Sequence, residues 1–205
     1  MKSNIGLAVG PVDSEHWGQV LVTPSGYGIV EISDPQEQAQ KKGARILSHL
    51  GEKLSHELTS LTAVERVAGE VWEAGVESLM VLVPVGRVVY LVLRGAGAVY
   101  VKRGSELAKL MHTEGAVSGE VRQGDTLLLV SHRFSRMLTH GDIVGVFDHL
   151  AALEVAEKLT IRLHEQPGGE GAVALVFEVA NFEETTPPPP VSEPQISPVK
   201  QRAAS

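Results

Sequence analysis

Residues 76–83, 87–93 and 98–102 are three apolar stretches in which leucine and β-branched residues follow one another almost without a break. Each is far short of the roughly 20 apolar residues a membrane helix needs. Each is also too uniformly apolar for a strand with one wet face. Such runs imply strands that are covered on both faces or buried centrally. Pro84-Val85-Gly86 between the first two suits a hairpin turn. A chain with this centre must therefore supply further layers to cover it.

The rest of residues 1–180 supplies those layers. Short strand-like runs at 5–9, 19–23 and 27–32 are separated by glycine and proline. The period then changes. Ala39, Gly43, Ile46, Leu47, Leu50, Leu54, Leu58 and Leu61 recur at steps of three and four, one apolar stripe on a helix. Thr62-Ala-Val-Glu65 matches a capping box and predicts the start of a second helix, with Val64, Val67, Ala68, Val71 and Trp72 as its stripe. Residues 125–131 form another buried strand. Gly141-Asp142 opens a helical region in which Leu150, Leu153, Ala156, Leu159 and Leu163 give the buried face. Pro167-Gly168-Gly169 ends it, and 172–179 is the last strand. Runs of strands and runs of helices, in place of strict alternation, point to an α+β fold with antiparallel sheets. Two sheets held between helical pairs, a four-layer α-β-β-α sandwich, would satisfy every apolar face.

Composition narrows the function. The net charge of −7, with no basic cluster interleaved with aromatics, argues against nucleic-acid binding. The absence of cysteine excludes disulfides, thiolate zinc sites and a cysteine nucleophile, and fits a reducing compartment. No signal peptide and no membrane insertion are expected, and the expected location is cytoplasmic. From 181 to 205 the chain turns proline-rich and poor in large apolar residues, which predicts a disordered tail or linker after a domain spanning 1–180.

Three segments, in order, carry a family resemblance. In 28–47 a strand leads through Ile32-Ser33-Asp34-Pro35 into a helix containing Ala39, Gly43 and Ala44. In 93–111 a strand ending in Arg94-Gly95-Ala96-Gly97 precedes a tyrosine-containing strand and a turn at Gly104. In 124–179 a strand ending in Ser131-His132-Arg133 is followed by a helix, then Gly169-Glu170-Gly171 and a last strand. Together they resemble the metal-dependent Ser/Thr protein phosphatases of the 2C (PPM) type over roughly residues 5–180.

That resemblance implies a site with two or more Mg²⁺ or Mn²⁺ ions bridged by a water that attacks phosphate. Such ions want several convergent carboxylates. The match places Asp34 at the first ligand turn, with Pro35 where the family has glycine; the alternative is that Asp34 caps the next helix. The second aspartate falls on Gly95, or on Ala96 in a shifted register, and the third on His132. Neither Gly95 nor His132 carries a carboxylate, and His132 also reads as an ordinary loop histidine. Glu170 stands in for the last aspartate, or is a solvated loop acid. Asp13 and Glu15 are the acids available near the N-terminal strand, where the family's arginine is missing. The metal candidates are thus Asp34, Glu170 and Asp13, and no residue is singled out as catalytic.

The resulting expectation is a 2C-like domain with an eroded metal site, a weak or inactive pseudophosphatase that binds a protein partner or phosphoprotein in regulation. The alternative is an active Mn- or Mg-dependent phosphoprotein phosphatase with unusual ligands; a third is an unrelated α+β interaction domain. Mn or Mg is the expected cofactor if the chain is active, and none otherwise.

Overall fold

The structure, a computed structural model, describes residues 1–36, 38–147 and 150–182. The chain runs β1 (Lys2–Val9), β2 (His16–Val22), β3 (Tyr27–Ser33), α1 (Ala39–Leu54), α2 (Leu61–Val71), β4 (Val76–Val85), β5 (Val88–Gly95), β6 (Gly97–Arg103), β7 (Glu106–Met111), β8 (Gly115–Glu120), β9 (Thr126–Ser131), α3 (His132–Met137), α4 (His140–Val146), α5 (Ala152–Glu165) and β10 (Val173–Asn181). The strands form two five-stranded sheets, ordered β1-β10-β9-β6-β7 and β2-β3-β4-β5-β8. Every pairing is antiparallel.

The uninterrupted apolar runs have a direct cause. In β4, Met80 and Leu82 face the other sheet, while Leu79, Val81 and Val83 face α1 and α2. In β9, Leu127 and Leu129 point between the sheets, and Leu128 and Val130 point to α3, α4 and α5. Both pleat faces of each sheet are dry at these positions, so period-2 alternation disappears. Three buried layers result, and the α-β-β-α sandwich is the architecture observed. Among the described residues no helix is long and apolar enough to cross a membrane.

Several boundaries differ from the sequence expectation. The first helix ends at Leu54. Leu58 and Leu61 stay in phase with its stripe, yet Leu58 is buried from the connecting turn and Leu61 opens α2. The cap of α2 is Ser60, whose hydroxyl accepts the Ala63 N–H at 3.2 Å, rather than Thr62. The helical region at Gly141 is two helices, α4 and α5; the first begins one residue earlier, at His140, and is capped by Thr139. Strand β8 was not foreseen, because an edge strand exposed along half its length has little apolar patterning to read. Strand β10 runs on to Asn181, and the expected tail from 183 onward lies outside the described residues.

Close packing of the helical layer is visible at Gly43. A Cβ there would lie 2.1 Å from a ring carbon of Trp17, which β2 presents to α1. Gly43→Ala should therefore destabilise the domain by about 1–2 kcal/mol, overpacking outweighing the ~1 kcal/mol gain in helix propensity. Urea unfolding monitored by Trp fluorescence will measure this; an unchanged or raised midpoint would mean that Trp17 yields freely.

Candidate functional site

One end of the sandwich gathers the strand ends that matter. The end of β1 meets the start of β10 (Val9↔Val173), and the start of β2 meets the end of β3 (His16↔Ser33). The start of β4 meets the end of β5 (Ser78↔Gly95), and the start of β6 meets the end of β9 (Gly97↔Ser131). Backbone bonds stitch the connecting loops together: Asp34 N–H to Glu15 C=O at 2.8 Å, Gly171 N–H to Pro11 C=O at 2.7 Å and Ala96 N–H to Glu77 C=O at 2.9 Å.

The residues singled out from sequence all lie at this end, in two neighbouring groups. Asp13, Asp34 and Glu170 surround the β1–β2 connection. Asp13 closes a turn: its Oδ1 accepts the N–H groups of Glu15 at 2.8 Å and His16 at 2.6 Å, and its Oδ2 lies 2.8 Å from His16 Nδ1. Burial alone would raise the Asp13 pKa, but the hydrogen bonds from His16 and Glu15 outweigh it and hold the carboxyl below its ordinary value. Asp34 Oδ1 accepts the Gln36 N–H at 2.9 Å, and its Oδ2 lies 3.7 Å from Lys42 Nζ on α1. Glu170 sits half-buried in a loop whose Gly171 packs against the backbone of His16 and Trp17.

Gly95 and His132 belong to the second group, around the start of β4. Gly95 has φ +73°, and a Cβ there would fall 2.4 Å from the Glu77 carbonyl oxygen. No aspartate fits at 95 in this backbone without displacement. The His132 N–H donates to Ser78 Oγ at 2.8 Å, and the Ser78 hydroxyl donates to the Ala96 carbonyl.

Sequence reasoning missed the most perturbed group at this end. Glu31 is 0% exposed, on the inner face of β3 in line with Ile29. Its two oxygens accept the Arg133 N–H, each at 3.2 Å. Burial, together with neighbouring Glu77, pushes its pKa up to about 8, against the opposing pull of Ser131 and Arg133. Glu77 reaches the site through a bulge: Glu31 pairs with Ser78 and Ile32 with Val76, which leaves Glu77 without a ladder partner. Its Oε2 lies 3.6 Å from Arg133 Nε, and neither atom has a hydrogen bond. An acid inside the run Ile29-Val30-Glu31-Ile32 was the available warning, since a charge in a strand buried on both faces needs a reason.

Glu77, Arg133, His132, Arg136, Met137 and the Pro167-Gly168 loop enclose a polar pocket of about 350 Å³. Among the described residues no group of three or more His, Cys, Asp or Glu side chains is placed to hold a metal ion. A Mg²⁺ or Mn²⁺ pair would require carboxylates that point together. Instead Asp13 and Asp34 are engaged by His16, backbone N–H groups and Lys42, and the guanidinium of Arg133 lies against Glu77. These residues do not fit the paired-metal centre implied by the resemblance.

No protein-family model matches the chain, and no curated protein matches it in sequence. The match lies in three dimensions. The serine/threonine phosphatase PstP/Ppp of Mycobacterium tuberculosis superposes with a TM-score of 0.71 at 14% identity, covering 88% of this chain and 99% of that one. The catalytic domain of PstP in complex with two manganese ions gives 0.70 at 15% identity, covering 88% and 98%. The PPM Ser-Thr phosphatase MsPP of Mycobacterium smegmatis, in complex with cacodylate, gives 0.66 at 14%, covering 88% and 99%. The chain has the fold of PPM-type, 2C-like phosphatase domains.

The raised pKa of Glu31 fixes a pH dependence. The folded state holds a proton that an unfolded glutamate releases near its ordinary value of 4.5, so this contribution is complete below that pH. It is lost as pH rises through about 8. Denaturant titrations should show stability falling across this window by roughly 5 kcal/mol at most, and Glu31→Gln should flatten the fall. An identical slope in the variant would assign the titration elsewhere.

Proposed function

We propose that this chain is a PPM-fold domain that does not hydrolyse phosphoesters and acts as a regulatory module, binding a protein partner in the cytoplasm. One observation carries the reading: at the end of the sandwich where the acids collect, four of them already face other groups. Asp13 is bound to His16, Asp34 faces Lys42, and Arg133 lies against Glu31 and Glu77. The left-handed Gly95, tight against Glu77, and the histidine at 132 leave no carboxylate at two positions where the resemblance calls for one. A fold does not carry its chemistry without the site.

The test is turnover of p-nitrophenyl phosphate and a phosphothreonine peptide, with Mn²⁺ or Mg²⁺ and with chelator. The expected rate is that of the metal-containing buffer alone, unchanged by Asp34→Ala. Metal-dependent turnover abolished by Asp34→Ala would overturn the proposal and establish a phosphoprotein phosphatase with unusual ligands.

A further inference from the structure

The pocket between α3 and the loop after α5 has a charge balance that none of the turns around it shares. Its lining presents Arg133 and Arg136 from consecutive turns of α3, with His132 beside them, against one carboxylate, Glu77. Among the described residues Arg136 has no acceptor, and it is exposed at the pocket rim. Arg133 is anchored by its backbone to Glu31, while its Nε is buried without a hydrogen bond. Its approach to Glu77, at 3.6 Å, is an ion pair lacking the bidentate geometry that makes such pairs strong. Burial of Glu31 behind it disfavours a negative charge there. The lining therefore sets two guanidinium groups against the single carboxylate of Glu77. A guanidinium with an unused N–H beside a second, unpaired guanidinium is a fork for a planar or tetrahedral oxyanion.

We propose that this pocket binds an oxyanion, phosphate or carboxylate, without a metal ion, held by Arg133 and Arg136 and opposed by Glu77. The inference rests on the non-catalytic reading above, since an arginine pair here takes the place of metal-borne binding. The anion displaces Glu77 from Arg133 Nε and takes up the N–H groups of both arginines; no bond to it is made or broken. Pro167 and Gly168 complete the lining.

Isothermal titration of the whole chain with inorganic phosphate, in chelator and at low ionic strength, tests this. Saturable one-to-one binding is expected. It should weaken at least tenfold in Arg136→Ala, an exposed position where the fold is unaffected, and tighten severalfold in Glu77→Gln, where the repelling charge is removed. These opposite signs separate a site from general destabilisation. Acetate, a phosphoserine peptide and an aspartate-rich peptide distinguish the source. Tighter binding of the phosphoserine peptide assigns the anion to a modified partner, tighter binding of the acidic peptide to a carboxylate-bearing partner, and equal binding to a free small anion. No binding in chelator or in Mn²⁺, or binding insensitive to both substitutions, would overturn this inference and leave the non-catalytic reading standing. Phosphate binding that appears only with Mn²⁺ would overturn both.

Discussion

Two contacts cross between the sheets at one end of the sandwich, and the local architecture depends on them. The Glu31 carboxyl on β3 receives the backbone N–H of Arg133 from the segment after β9, and the Ser78 hydroxyl on β4 receives the N–H of His132 beside it. Between the sheets the contact is mostly apolar, through residues such as Ile29, Met80, Leu82, Leu127, Leu129 and Phe177. Apolar contact resists separation but has no directional preference, so it does not by itself set where α3 begins. The polar pair does so, by placing the first two N–H groups of α3 on acceptors from the other sheet. Burying an acid for this purpose is costly, and the raised pKa of Glu31 shows how the cost is met: the group keeps its proton.

From that clamp the rest of the site follows. Arg133 is fixed by its backbone, so its side chain is delivered to Glu77, which the bulge in β4 has turned out of its ladder. Gly95 must then pass close under the Glu77 carbonyl, in a left-handed conformation with no room for a side chain. Arginine, glycine and buried glutamic acid support one another here. On the non-catalytic reading proposed above, a carboxylate placed at 95 or 132 alone would still be opposed by the backbone and the guanidinium.

The fold was largely legible in the amino-acid sequence because two-sided burial leaves a plain mark. The runs 79–83 and 88–93, apolar on both pleats, force covers on each side, and the three- and four-residue stripes name the covers. Failures came where phase survives a break, as with Leu58 and Leu61 beyond α1, or where a strand is half wet, as with β8. The site was less legible. Asp13 and Asp34 have the composition of ligands, and only coordinates reveal their bonds to His16, Gln36 and Lys42. Glu31 was hidden for the opposite reason: within a strand, one acid among apolar neighbours does not say which residue from the other sheet will meet it. Arg133 stood out only as a charge beside the expected ligand position, and its partners are 102 and 56 residues away in the chain, distances that spacing arguments do not reach.

The central claim is that cationic and turn contacts occupy Asp13, Asp34 and Glu77 at the end of this PPM-type fold, so that no metal pair assembles there. Diffraction from crystals soaked in Mn²⁺, with anomalous differences recorded at the manganese edge, tests it most directly. The account predicts no manganese peak among Asp13, Asp34, His132 and Glu170, with Arg133 still against Glu77. Two peaks bridged by Asp34 and any neighbouring acid, with Lys42 or Arg133 swung aside, would contradict it.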